Sequence, residues 1–199
     1  MPRWVDVVLA GLGLLLISPL LLLIAAAVKL TTAGPVLFRQ ERVGRQGRLF
    51  MILKFRTMVI DAEKRGLKIT CGGRDPRVTP VGYWLRRFKL DELPQLWNVL
   101  VGDMKFVGPR PEVPEYVRLW DEVQRVALLA MPPGITDPAA LAFQDEDEVL
   151  GTHEDPERAY VEHVMPAKLA MNMEYLKARS ARSDMGLIAS TVRRAVLRV

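Results

Sequence analysis

Residues 90–111 read LDELPQLWNVLVGDMKFVGPRP. An adjacent acid pair, Asp91 and Glu92, stands between cations on both sides: Arg86, Arg87 and Lys89 before it, Lys105 and Arg110 after it. Two neighbouring carboxylates offer oxygen-only ligation to a hard cation such as Mg²⁺, and the surrounding cations suit a polyphosphate. Charged residues that punctuate a helix start and lie in water look the same, so the dipeptide alone leaves both readings open. Local pattern adds to it. Asp91 reads as a helix N-cap, Leu93, Leu96, Trp97 and Leu100 recur at helical spacing, and Gly102 reads as the stop. Pro94 falls in the first turn, where its missing N–H is harmless. A carboxylate at the positive end of a helix gains roughly 0.3–1 kcal/mol, which keeps Asp91 ionised near neutral pH as a candidate nucleophile or metal ligand. Upstream, Thr79 and Pro80 predict the cap and first residue of a helix carrying Trp84, Leu85 and Phe88, with Arg86 near its end.

Leu90 to Gln95, Asn98 and Val99, Gly102 to Met104 and Gly108 to Pro111 together resemble the bacterial sugar transferase family. These are monotopic phosphoglycosyl transferases, which load a sugar phosphate onto a polyprenyl phosphate carrier. The resemblance extends over nearly the whole chain. Outside the central stretch, Phe50 to Met58 alternate in period two, which puts Lys54 and Arg56 on one strand face. Strand cations often serve only to block edge pairing; the likeness of LKFRTM to the family's Lys-Phe-Arg/Lys-Thr-Met signature implies instead that both meet phosphate. Val36 to Phe38 and Leu49 to Met58, with Gly44 and Gly47 between them, predict a small hairpin. Gly108 to Pro111 is a rigid extended turn that holds Arg110, whose guanidinium suits phosphate or carboxylate.

The net charge of +5 points to anionic partners. It does not choose among nucleic acid, an anionic membrane and a phosphorylated substrate, but no recognisable nucleic-acid module is present. Cys71 is the single cysteine, which excludes an internal disulfide framework. His153 and His163 lack zinc spacing and lie far from Cys71, so neither a metal finger nor a thiol mechanism is supported. No Ser/His/Asp constellation supports acyl transfer.

From Val7 to Val28 run 22 uncharged residues, enough as one helix at about 1.5 Å per residue to cross a core of about 30 Å. Ser18 and Pro19 interrupt the run. Pro19 cannot donate to the Leu15 carbonyl, and Ser18 can return a hydrogen bond to a freed carbonyl, so a bent, non-crossing helix stands beside a spanning one. Lys29, Arg39, Arg42, Arg45 and Arg48 after the segment, against Arg3 before it, favour a cytosolic remainder. The resemblance implies the re-entrant form, broken at Ser18 and Pro19.

The fold expected is therefore α+β and mainly helical with a small β-hairpin. Residues 1–30 form a helix-break-helix re-entrant membrane segment, and residues 31–199 form a cytosolic, membrane-associated catalytic domain with amphipathic interfacial helices. Glu115 to Ala130 reads as one helix. Asp61 to Pro76 reads as a loop able to close over substrate, with Arg74 as a contact. Asp145 to Glu148 reads as a solvated helix start rather than a second metal site. The stripe from Leu187 to Val199 reads either as core packing or as a basic amphipathic surface helix. Pro133 to Thr136 match the family's Pro-Gly-Ile-Thr turn, but Pro132 and Asp137 to Ala139 depart from it, which leaves the sugar preference open.

The resemblance implies the following chemistry. A UDP-sugar binds with Mg²⁺ at Asp91 and Glu92, and Asp91 attacks to form an aspartyl phosphosugar. Polyprenyl (undecaprenyl) phosphate then takes the phosphosugar. Glu92 ligands or orients the metal, while Lys54, Arg56, Arg86 and Arg110 bind phosphate. The setting is the inner leaflet of a bacterial inner membrane, with phospholipid contacts, no nucleic acid, and a homodimer left open. The alternative is a non-enzymatic, membrane-tethered basic adaptor for acidic lipid or other polyanions, which needs the cations but not the acid pair.

Overall fold

The structure, a computed structural model, describes residues 2–62 and 75–197. Arg74, Cys71 and most of the loop expected over Asp61 to Pro76 lie outside the described residues. Helix α1 (Arg3–Thr31) is long and apolar enough to cross a membrane. It continues unbroken through Pro19, where the sequence pointed to a break. The hydrogen bond expected of Ser18 is present: its Oγ donates to the Leu15 carbonyl at 2.8 Å, the acceptor that Pro19 cannot serve.

Both ends of α1 are seated on the same body. At the start, the Arg3 guanidinium donates to the Val99 and Leu100 carbonyls at 2.6 and 2.9 Å. Asp6, 1% exposed, accepts from the Phe106 N–H at 3.3 Å. At the far end, Ile24 and Val28 pack with Phe55 and Leu85. Between them Leu12, Leu15, Leu16, Leu22 and Leu23 face outward.

Strands β1 (Leu37–Val43) and β2 (Leu49–Phe55) form the expected hairpin, antiparallel with Phe38 opposite Lys54 and Arg42 opposite Phe50. Helix α2 (Pro80–Arg87) starts as expected, with Thr79 Oγ1 accepting from the Gly82 N–H at 2.9 Å. The chain then turns through Lys89, at φ 54°, into a single 3₁₀ turn, Leu90–Glu92, before α3 (Gln95–Val101). Asp91 is thus not the N-cap of α3, because the left-handed Lys89 turns the chain early and Asp91 lies inside the turn. Gly102, at φ 109°, ends α3 as expected. From α3, Asn98 bonds the β2 edge: its amide accepts from the Leu53 N–H at 3.0 Å and donates to the Met51 carbonyl at 2.8 Å. The acid turn is thereby fixed against Lys54.

Strand β3 (Lys105–Val107) pairs in parallel with β4 (Gly134–Thr136). Where they continue, Gly108 and Gly134 nearly touch. A Cβ on Gly134 would fall 2.1 Å from the Gly108 nitrogen, so only glycine fits. That close approach sets Arg110 beside Asp137.

The single helix expected over Glu115 to Ala130 is instead α4 (Pro114–Val117) and α5 (Glu122–Leu129). A capping box of Asp121 and Gln124 starts α5 anew, while Trp120 turns inward between the two. Beyond β4 come α6 (Pro138–Ala142), α7 (Glu146–Leu150) and α8 (Pro156–Ala159). A π-helical turn over Tyr160–Val164 leads into α9 (Met165–Ala178), and α10 (Ala181–Leu197) follows. The largest core packs Tyr116, Val117, Trp120 and Leu128 against Leu150, Tyr160, Met165 and Leu169. Ile188 and Thr191 of α10 face the main cavity, and Thr191 Oγ1 lies 2.7 Å from Thr136 Oγ1.

Candidate active site

A cavity of about 1030 Å³ lies between the hairpin, the acid turn, the Pro109 to Pro111 segment and α6, α7, α9 and α10. Glu92 is its electrostatic centre. Its Oε1 accepts from Lys54 Nζ of β2 at 3.1 Å and also from the Arg110 guanidinium. Arg110 is held at both ends: its N–H donates to Asp137 Oδ2 at 2.6 Å, and its side chain also donates to the Ile135 carbonyl at 3.3 Å. Asp137, 1% exposed, accepts as well from Ala140 N–H at 2.5 Å and from the Asn172 amide at 3.2 Å. It orients the backbone that carries Arg110.

Behind this stands a second layer. Arg42 of β1 donates to Glu112 at 3.0 Å and to the Pro111 carbonyl at 3.2 Å, and the Tyr160 hydroxyl donates to Glu112. Arg86 meets Asp147 at 2.6 Å, and Lys168 meets Glu146 at 2.6 Å. The acidic run on α7 is therefore not merely solvated. It pairs with cations of the cavity.

Of the phosphate-binding residues expected from sequence, Lys54, Arg86 and Arg110 line the cavity with Asp91 and Glu92. Arg56 does not. Strand β2 ends at Phe55, so the alternation fails one residue later, and Arg56 turns back to donate to the Thr32 and Ala33 carbonyls at the end of α1. It is a buried clamp on α1.

The two carboxylates differ. Asp91 is 7% exposed; burial, then the neighbouring Glu92, pushes its carboxyl up to about 6. The helix-end argument expected a lower value, and desolvation outweighs it. Burial alone would raise Glu92 too, but Arg110 and Lys54 overcome it and hold that carboxyl well below the usual range. One member of the pair is thus an anion stabilised by two cations. The other is ionised above about pH 6 yet poorly solvated, which suits a nucleophile.

Asp91 Oδ1 is buried with no hydrogen-bond partner among the described residues, as are both amide atoms of Gln95, one helical turn on. No group of three or more His, Cys, Asp or Glu among the described residues forms a metal cage. An orphaned carboxylate oxygen beside a second carboxylate fits Mg²⁺, which is commonly held by one or two carboxylates with substrate phosphates and water completing its shell.

Sequence reasoning missed Asp137, Asn172, Glu112, Tyr160 and Arg42 as parts of this assembly. Only Arg42 carried a local signal, since Gln40 and Arg42 alternate onto the same hairpin face as Lys54.

The chain matches the family described as bacterial sugar transferase over residues 1–198. It belongs to that family. Among named relatives, the undecaprenyl-phosphate glucose phosphotransferase of Komagataeibacter xylinus is 38% identical over 199 residues, which cover 98% of this chain and 35% of the relative. The UDP-glucose:undecaprenyl-phosphate glucose-1-phosphate transferase of Escherichia coli (strain K12) is 39% identical over 94% of this chain and 38% of its own length. A third, the UDP-N-acetylgalactosamine-undecaprenyl-phosphate N-acetylgalactosaminephosphotransferase of Aeromonas hydrophila, is 36% identical over 96% of this chain and 42% of its own. This bacterial sugar transferase chain therefore spans less than half the length of these relatives.

Proposed function

We propose that this chain transfers a phosphosugar from a UDP-sugar to polyprenyl phosphate through a covalent intermediate on Asp91. The observation that carries the reading is the buried Asp91 carboxylate, its Oδ1 without a hydrogen-bond partner among the described residues, set beside a Glu92 paired to two cations in a cavity large enough for a sugar nucleotide. The names of the relatives supply the donor and acceptor classes.

In the first half, an ionised Asp91 oxygen attacks the sugar-proximal phosphorus; the bond to the bridging oxygen breaks and UMP departs. In the second, an oxygen of polyprenyl phosphate attacks the same phosphorus, and the Asp91 carboxylate leaves unchanged. Splitting the exchange in two is the ordinary gain of covalent catalysis. Lys54 and Arg110, both held by Glu92, face the charge that moves between phosphates, and Arg86 joins them once Asp147 yields it. Mg²⁺ held by Asp91 and Glu92 would neutralise phosphate charge when bound.

The acid turn sits between α2 and β2, and Leu90 and Leu93 join the cluster that Ile24 and Val28 of α1 form with Phe55 and Leu85. Both ends of α1 meet one body, and that supports a re-entrant helix lying on the cytosolic leaflet, since a span would carry Arg3 to the far side. Exposed Trp4, Trp84 and Trp97 suit the headgroup level. Such placement lets a water-soluble donor and a lipid acceptor reach one carboxylate.

Intact mass after incubation with Mg²⁺ and a panel of UDP-sugars tests the chemistry. The expected result is a phosphosugar-sized increment with one or a few donors, absent in Asp91→Asn. No increment, with lipid product still forming in that variant, would overturn the covalent route. For topology, a Pro2→Cys label in a Cys71→Ser background should react only from the cytosolic side; periplasmic labelling rules out re-entry.

A further inference from the structure

Nearly every cation around the cavity is already committed. Arg42, Lys54, Arg86, Arg110 and Lys168 each form an ion pair with a carboxylate, and Arg194 donates to the Leu141 carbonyl at 2.5 Å. Lys89 is the exception. It lines the same cavity, two residues before Asp91, and has neither an ion pair nor a side-chain hydrogen bond among the described residues.

Its backbone is also costly. Lys89 follows the last residue of the α2 cap in the left-handed conformation, φ 54° and ψ 22°, with its N–H closing onto the Arg86 carbonyl at 3.0 Å. Glycine is the usual occupant of such a position, and a side chain there is strained. Strain kept where it brings no hydrogen bond or close ion pair among the described residues points to use at a site. Its charge also favours the ionised forms of Asp91 and Glu92, as expected of a cation close to both.

We infer that Lys89 is a binding residue for the diphosphate of the donor, taking a phosphate oxygen without first having to release a carboxylate. The inference rests on the sugar-nucleotide reading above. It differs from the roles of Lys54 and Arg110, which must share their charge with Glu92.

The test is calorimetric binding of UDP and of inorganic pyrophosphate to the full chain, with thermal unfolding alongside. Lys89→Gly and Lys89→Met should each weaken both ligands about tenfold, as loss of a charge-assisted hydrogen bond does. Lys89→Arg should stay within about threefold of the wild type on the same ground. Lys89→Gly should unfold no lower than the wild type, because glycine relieves the left-handed strain. A lysine kept only to complement the C-terminal end of α2 would give the reverse: lower unfolding temperature and unchanged binding. Wild-type affinity in both Lys89→Gly and Lys89→Met defeats the inference while leaving the transferase reading in place. If the wild type itself binds neither UDP nor pyrophosphate, both fall together.

Discussion

Asp91→Asn should abolish transfer and, above pH 6, make the protein more stable. Turnover is expected to drop on the order of 10⁴-fold or more, since deleting a covalent nucleophile removes the route itself. The gain in stability has the same origin as the reactivity. A carboxyl raised from 3.8 to about 6 on folding holds its proton more tightly in the native state. Its contribution to stability is therefore full below about 3.8 and lost as the pH rises through about 6. At pH 8 the buried charge weighs against folding by about 2–3 kcal/mol, at roughly 1.4 kcal/mol per unit. Asparagine removes that charge but brings an amide to satisfy. We expect about half the gain to survive, a rise of about 2–6 °C in Tm at about 2–4 °C per kcal/mol. The gap to wild type should narrow as the pH falls from 8 to 5. Wild-type kcat/KM should also decline on the acid side as the nucleophile takes up its proton, at a pH below 6 because Mg²⁺ at Asp91 favours the carboxylate. Tryptophan-fluorescence melts and initial rates across that range decide the matter. A gap of equal size at both ends would sink the buried-carboxylate account, and turnover surviving in Asp91→Asn would sink the nucleophile.

What could be read from the sequence was whatever local chemistry sets. Thr79 with Pro80 announces the start of α2, Gly102 the end of α3, and Gly44 with Gly47 the hairpin, because each satisfies or breaks backbone hydrogen bonds within a few residues. Asp121 and Gln124 carried a capping box that the continuing apolar period concealed, and so one helix was expected where two form. At Lys89 nothing in the sequence marks a left-handed turn, since the residue type argues against it. For that reason the pattern points to an Asp91 cap that does not form.

The site divides along the same line. Lys54, Arg86 and Arg110 were recoverable because they sit in or beside motifs that can be recognised as strings. Arg56 was misplaced because period two holds only as far as the strand does, and β2 stops at Phe55. Asp137 and Asn172 come to Arg110 through the parallel β3–β4 pair and the docking of α9, separations that no local pattern encodes. The acidic run on α7 looked like a solvated face for the same reason: Arg86 and Lys168, its partners, are supplied by other helices.

Glu92→Gln should have the opposite thermodynamic sign to Asp91→Asn, although the two carboxylates are neighbours. Glu92 is paired to Lys54 and Arg110 with side-chain exposures of 16%, 23% and 28%. Removing the anion leaves two partly buried cations facing one another. Breaking a buried pair costs about 3–5 kcal/mol, and the residual exposure argues for the lower figure. A fall of about 6–12 °C in Tm follows at about 2–4 °C per kcal/mol. The loss should be partly recovered by adding Lys54→Met, which takes away one of the stranded charges; the double variant should be more stable than Glu92→Gln alone. Binding should move the other way. With a chelator present, so that no metal contributes, Lys54 and Arg110 released from Glu92 should hold UDP about fivefold more tightly, as freed charge-assisted donors do. Turnover should nevertheless fall about 10²–10³-fold, because donors no longer held in place stabilise the ground state as well as the transition state. Weaker UDP binding in chelator would show that Glu92 does not restrain the two cations. A double variant no more stable than Glu92→Gln alone would show that Lys54 and Glu92 act independently, and the division of labour within the acid pair would have to be redrawn.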